Sequence, residues 1–280
     1  MNDAAFMLRA VGTMLRRPTG TVRLPRLVLS REVRIEGRAV RAYAALCGFT
    51  PAQGVPVTYP HVLGFPLQMA LMMGRGFPFP LPGLVHLHNR IVQHVALGDG
   101  DRLNLEAGAT RLVAHARGQG FVIAVTARRG GGIVWQGESL YLHRSTRHGQ
   151  GKAAPASPEI GLARRLGTFE APADIGRRYA RVSGDANPIH TNAVFARLMG
   201  FRHPIAHGMW SLARAVALLT PQAALAEVEL EAGFRSPLFL PGQAELRVRG
   251  SDFEITAPGG HPRFLCGHLV ARACFVRKPC

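Results

Sequence analysis

Two short segments of this chain occur twice, in the same order. Tyr43-Ala-Ala-Leu-Cys-Gly48 is echoed by Tyr179-Ala-Arg-Val-Ser-Gly184, and Pro60-His-Val-Leu-Gly64 by Pro204-Ile-Ala-His-Gly208. Such self-similarity restricts the fold to two copies of one supersecondary unit. Each echo opens an apolar helix. Phe65 to Met73 carries Leu67, Met69, Ala70, Leu71 and Met72. Met209 to Leu219 places Met209, Leu212, Ala213 and Val216 at helical spacing, with Trp210, Ala217 and Leu218 on another side. A helix apolar nearly all round is a buried helix, so each half is expected to wrap a sheet around one central helix.

The sheet stretches are rich in β-formers and bounded by Gly or Pro: Leu103 to Ala107, Gly120 to Arg128, Ile133 to Arg144, Glu227 to Gly233, Ala244 to Gly250 and Phe264 to Val276. In the last, apolar Leu265, Leu269, Ala271, Ala273 and Phe275 alternate with His268 and Arg272, as in an antiparallel strand with one covered face. Few β-α-β alternations appear, so the class is α+β rather than a doubly wound parallel sheet. Residues 146–158, with Arg147, His148, Gly149, Gly151, Lys152, Pro155 and Pro158, are poor in large apolar side chains and read as a linker. The expected division is therefore 1–145, the linker, and 159–280.

The chain has 280 residues and a net charge of +17, carried almost wholly by arginine. That charge suits nucleic acid, a membrane surface, a phosphate-bearing small molecule or an acidic carrier protein. The arginines are scattered, with only short pairs such as Arg16-Arg17, Arg128-Arg129 and Arg164-Arg165, and no zinc-finger or RNP-type motif accompanies them, which argues against nucleic acid. No apolar run is long enough to span a bilayer, and Arg9, Arg16 and Arg17 surround only a short apolar stretch near the N-terminus, unlike a cleavable signal. Cys47, Cys266, Cys274 and Cys280 lack metal-site spacing and read as reduced thiols of a cytoplasmic protein.

The halves are unequal. Where the second has Asp185 and His190, the first offers Phe49 and no equivalent histidine. It carries instead Phe77-Pro-Phe-Pro-Leu-Pro82, a stiff apolar stretch suited to lining a channel or capping the helix, or to packing alone. Asn187-Pro188 keeps the Asp185 to His190 segment out of regular helix, so this is a turn or extended loop leading into a short helix around Ala193 to Met199. Such a loop can aim a carboxylate and an imidazole at one point, the pairing that adding or removing water requires. At His207-Gly208-Met209 a glycine opens a buried helix. Its bare N–H and the helix dipole would hold an enolate oxygen, with His207 capping or supporting rather than reacting.

Tyr179-x-x-Val182-Ser-Gly-Asp-x-Asn-Pro-Ile-His190, followed by Ala196, resembles the hydratase 2 motif of the MaoC-like, (R)-specific enoyl-CoA hydratases. Gly200-Phe201, Ile205-Ala-His-Gly-Met209 and Phe234-Arg-Ser-Pro-Leu-Phe-Leu-Pro-Gly242 follow in the expected order, so the likeness covers about 161–249. The resemblance implies a double hot-dog, two long central helices each wrapped by an antiparallel sheet, with a degenerate first half that accommodates the acyl chain. It implies reversible hydration of trans-2-enoyl thioesters to (R)-3-hydroxyacyl thioesters, with Asp185 and His190 as the water-activating pair and the Gly208 amide as oxyanion donor. No cofactor or metal is expected beyond the coenzyme A or acyl-carrier-protein thioester itself. Asn187, which also braces the loop, Arg202 and Arg235 are the expected substrate contacts, the arginines facing phosphates or an acidic carrier. The alternatives are a hot-dog thioesterase and a non-catalytic acyl-thioester-binding subunit. A homodimer of the whole chain is left open.

Overall fold

The computed structural model describes residues 12–16, 22–144, 160–161 and 163–273, so the expected linker lies outside the described residues. In the first half the elements are β1 (Val28–Arg34), α1 (Gly37–Cys47), α2 (Tyr59–Met73), β2 (Val85–Gln93), β3 (Arg102–His115), β4 (Gly118–Arg129) and β5 (Gly132–Arg144). The second half has β6 (Arg164–Ala171), α3 (Ile175–Ser183), α4 (Pro188–Thr191), α5 (Ala193–Leu198), α6 (Gly208–Leu219), β7 (Leu225–Phe234), β8 (Gly242–Arg249), β9 (Asp252–Thr256) and β10 (Arg263–Ala273).

All ten strands form one sheet in the order β1-β3-β4-β5-β2-β7-β10-β9-β8-β6, and the pairings are antiparallel. Read inward from either edge, the two halves have the same order: first strand, third, fourth, fifth, second. The repeat in the sequence is thus a repeat in topology, and the fold is the expected double hot-dog. The halves meet where β2 pairs with β7, from His88 opposite Gly233 to Gln93 opposite Val228.

The central helices are α2 and α6. Eleven of the fifteen residues of α2 are buried, from Tyr59 to Met72, and so are eight of the twelve in α6. Their principal core is shared: Tyr43, Trp135, Tyr179 and Trp210 belong to one cluster drawing on both halves. Polar contacts cross the boundary as well. The Gln53 amide donates to the Ala217 carbonyl, Arg214 of α6 donates to the Cys47 carbonyl at the end of α1, and the Gln93 amide donates to the Leu225 carbonyl. A second cluster beneath α2 holds Phe77, Phe79 and Phe121. Phe79 stacks on Phe121 with centroids 5.1 Å apart and Phe77 meets it edge-on at 5.0 Å, so both phenylalanines of the Phe-Pro stretch pack into this core.

Three expectations need correction. Only the proline echoes open helices; the tyrosine echoes close them, since Gly48 and Gly184 are left-handed caps ending α1 and α3 at φ of 80° and 74°. Helix α2 begins at Tyr59, six residues before the expected Phe65. Four strands had no legible pattern. β1 and β6 are edge strands with mostly exposed or half-exposed side chains, β9 is five residues long, and β2 reads Val-His-Leu-His-Asn-Arg-Ile-Val-Gln, too polar to look like the centre of a sheet. The polar residues of β2 have their own role below.

Candidate active site

Helix α3 turns Ile175, Tyr179 and Ser183 inward and leaves Arg177, Arg178 and Arg181 exposed. Where it ends, local hydrogen bonds shape the chain. The Ser183 hydroxyl donates to the Tyr179 carbonyl at 2.8 Å and accepts from the Asp185 N–H at 3.2 Å. The Asp185 carboxylate accepts from the Asn187 N–H at 3.2 Å, an Asx turn, and the Asn187 side chain accepts from the Ile189 N–H at 3.3 Å, capping α4. Asn187 therefore braces both the acid and the turn that carries His190, which lies in a single helical turn rather than in extended chain.

Helix α3 sets the position of this turn by close approach. A Cβ on Gly176 would stand 1.8 Å from the His190 carbonyl oxygen, so only glycine lets α3 lie against α4. The segment before α6 is clamped from both sides. The Ile205 N–H donates to the Ile189 carbonyl, while Ala206 and Leu240 exchange backbone bonds with Leu238 and Pro204. The Phe234 to Gly242 element thus straps the approach to the α6 N-terminus.

His190 Nδ1 lies 2.8 Å from the Ile205 carbonyl oxygen. A carbonyl can only accept, so Nδ1 carries the proton and Nε2 keeps its lone pair. By the same argument His207, whose Nε2 is 3.0 Å from the Asp185 carbonyl oxygen, is protonated there and bare at Nδ1. The two imidazoles stack at a centroid distance of 3.7 Å. Burial lowers the His190 pKa, against partial compensation from the Asp185 charge and the Ile205 carbonyl. His207 falls well below the ordinary value through burial and then through the neighbouring His190. Both rings are neutral near pH 7.

One side-chain oxygen or nitrogen from each of Asp185, His190 and His207 lies within 4.8 Å of the others. Gly208, directly after His207, opens α6 with the first of the helix's unpartnered amides. A Cβ there would come within 2.7 Å of the Phe234 ring, so glycine is required for Phe234 to cover the helix end. Asp185, His190 and Gly208 are therefore gathered in one place. The arginines sit differently. Arg202 is exposed with its guanidinium 4.5 Å over the Phe239 ring, and Arg235 is exposed and lies along Gly233 beside Cys266. His207 as the partner stacked on His190, and Gly176 as the spacer behind it, are contributions that spacing in the sequence did not show.

A family model described as a MaoC-like domain matches residues 153–254, the span that contains every residue of this site. The 3-hydroxyacyl-thioester dehydratase X of Mycobacterium tuberculosis is 35% identical over 253 residues, 88% of each chain. The chain belongs to the MaoC-like dehydratase family. A crystal structure of that relative superposes with a TM-score of 0.75 at 29% identity, covering 88% of this chain and all of the other. A MaoC-like dehydratase from Phytophthora capsici, at 19% identity, shares the fold with a TM-score of 0.71 over 88% of this chain and 95% of its own. Likeness to whole MaoC-like chains thus extends through the first half, where the repeat has no acid and imidazole.

Proposed function

We propose that the chain reversibly adds water to trans-2-enoyl thioesters, giving (R)-3-hydroxyacyl thioesters, and runs as a dehydratase in the reverse direction. The observation that carries this is the convergence of Asp185 and His190 beside the Gly208 amide. Groups within 4.8 Å of each other are at the span one water bridges with ordinary hydrogen bonds. The Gly208 N–H polarises the thioester carbonyl, so that negative charge developing on its oxygen meets a donor and the positive end of the helix dipole. Asp185 orients the water. His190, bare at Nε2, takes its proton as the oxygen attacks the β-carbon, and the imidazolium or a bound water returns a proton to the α-carbon. The relative's name, a 3-hydroxyacyl-thioester dehydratase, fits the reverse step.

The chemistry asks for no metal or redox group. The first half accommodates the acyl chain, and Arg202 and Arg235 serve the carrier's phosphates or acidic face from the surface. Among the described residues no helix is long and apolar enough to cross a membrane. Cys47 and Cys266 are free thiols, which supports a reducing, cytoplasmic setting.

The test is a spectroscopic assay of the purified chain with enoyl-CoA and enoyl-carrier thioesters. Hydration removes the enoyl absorbance and leaves the thioester intact. Release of free thiol in step with the loss of substrate would instead make it a thioesterase.

A further inference from the structure

The first half buries a polar chain that the proposed chemistry does not use. Asn89 on β2 is 0% exposed and donates through Nδ2 to the Ser139 hydroxyl at 3.1 Å. The Ser139 side chain also interacts with that of Tyr141, partly offsetting the rise that burial gives the Tyr141 pKa. Tyr141 in turn donates to Gln68 Oε1 at 3.1 Å. That bond occupies the Gln68 oxygen and leaves its NH₂ facing onward. Gln68 is 1% exposed, and Nε2 has no partner.

Beside it, His86 lies 4.8 Å from the Tyr141 ring and stacks on His61 at 6.2 Å. His86 Nε2 is shut from solvent and has no partner. A backbone hydrogen bond with His88 partly offsets the lowering of the His86 pKa by burial, and the neutral ring offers Nε2 as donor or acceptor according to its tautomer. Gln68 Nε2, His86 Nε2 and Asn89 Oδ1 thus lack partners in one cluster, each costing roughly 1 to 3 kcal/mol if nothing fills it.

The cluster adjoins the reaction centre. His86 packs at 4.8 Å against Phe234, the ring that covers the α6 N-terminus at Gly208. The Asp185 carboxylate acts electrostatically on both His61 and Tyr141.

We propose that Gln68 and His86 form a specificity site for a hydroxyl group on the acyl chain, beyond the β-carbon and distinct from the hydroxyl the reaction makes. A hydroxyl has a lone pair for the Gln68 amide and, with a proton and a second lone pair, suits His86 Nε2 in either tautomer. An unsubstituted methylene satisfies neither. A site built to bond a hydroxyl discriminates strongly against the analogue lacking it, because its own polar groups are then left buried and unpaired. The inference rests on the acyl-thioester reading of the chain and names a substrate class within it.

The experiment uses trans-2-enoyl-CoA thioesters of one chain length, unsubstituted or with a single hydroxyl at successive carbons from C4 outward. The wild-type chain is expected to prefer at least one hydroxylated isomer over the unsubstituted thioester by about tenfold or more in kcat/KM. Gln68→Met and His86→Phe, which keep size and remove one bonding group each, should abolish that preference. Calorimetric binding of matched saturated acyl-CoA and hydroxyacyl-CoA pairs reads the same preference without turnover, and still decides the matter if either variant is inactive. A wild-type chain indifferent to the hydroxyl at every position, in rate and in binding, overturns the proposal, as does a preference that survives both substitutions. Failure to hydrate any enoyl thioester would count against the hydration reading, and the binding comparison would still judge this one.

Discussion

At the scale of single residues, the proposed hydration rests on two side chains that cannot replace one another. Asp185→Asn keeps the shape and the Asx turn but loses the charge, and His190→Ala removes the proposed base. Each is expected to lower kcat/KM for hydration by about a hundredfold or more while leaving the unfolding midpoint close to wild type, checked by steady-state kinetics beside thermal melts. Burial lowers the His190 pKa, so the base form persists into mild acid. The acid limb of kcat/KM should lie below the ordinary histidine value of about 6.5. Because the Asp185 charge raises the His190 pKa, Asp185→Asn should move that limb further towards acid; a pH–rate profile with the limb unmoved or shifted upward would contradict the coupling. The motif was legible because its residues are adjacent in sequence. The stacking of His207 on His190 was not, since it depends on two elements seventeen residues apart meeting face to face.

Among the elements, helix ends and helix contacts set the site's precision. Gly176→Ala would drive a methyl group into the His190 carbonyl, and α3 and α4 must separate to admit it. The expected outcome is a loss of kcat, on the order of tenfold or more, with a modest fall in stability of about 1 to 3 kcal/mol, measured by kinetics and urea unfolding together. Arg16 is a different case. Read from sequence it is half of a basic pair; in the structure its guanidinium donates to the carbonyls of Met72, Met73, Gly74 and Phe79, closing the C-terminus of α2. Arg16→Met should destabilise the fold by roughly 2 kcal/mol, seen as a lower urea midpoint, through carbonyls left without a donor. No sequence rule points an arginine at a helix end fifty-six residues away. The missing edge strands show the same limit, for a strand with little to bury carries little pattern.

For the whole molecule, the shared core makes acid sensitivity a collective property. His61, His86, His190 and His207 are held neutral by burial, with His61 pushed down to about 4. In the unfolded chain each takes up a proton near pH 6.5. Stability is therefore unaffected by them above that pH and falls as pH drops through 6.5 towards about 4, because the unfolded state binds more protons. Each such histidine contributes up to about 1.4 kcal/mol per pH unit in that window. Denaturation midpoints followed from pH 7.5 to 4.5 should fall steeply, and His61→Leu should flatten the slope. A midpoint independent of pH would show that these rings are not buried neutral in solution.

The sequence alone determined the repeat, the α+β class, the two central helices and the acid–imidazole motif, because these rest on periodicity and local chemistry that neighbouring residues carry between them. Only the tertiary structure decided that β2 joins β7 in one ten-stranded sheet, that a histidine seventeen residues on stacks against His190, and that Asn89 meets Ser139 and Tyr141 meets Gln68 in the buried first half. Those are meetings of residues far apart along the backbone. What brings them together is burial of the shared core, and the identity of each partner leaves no trace in the spacing of the other.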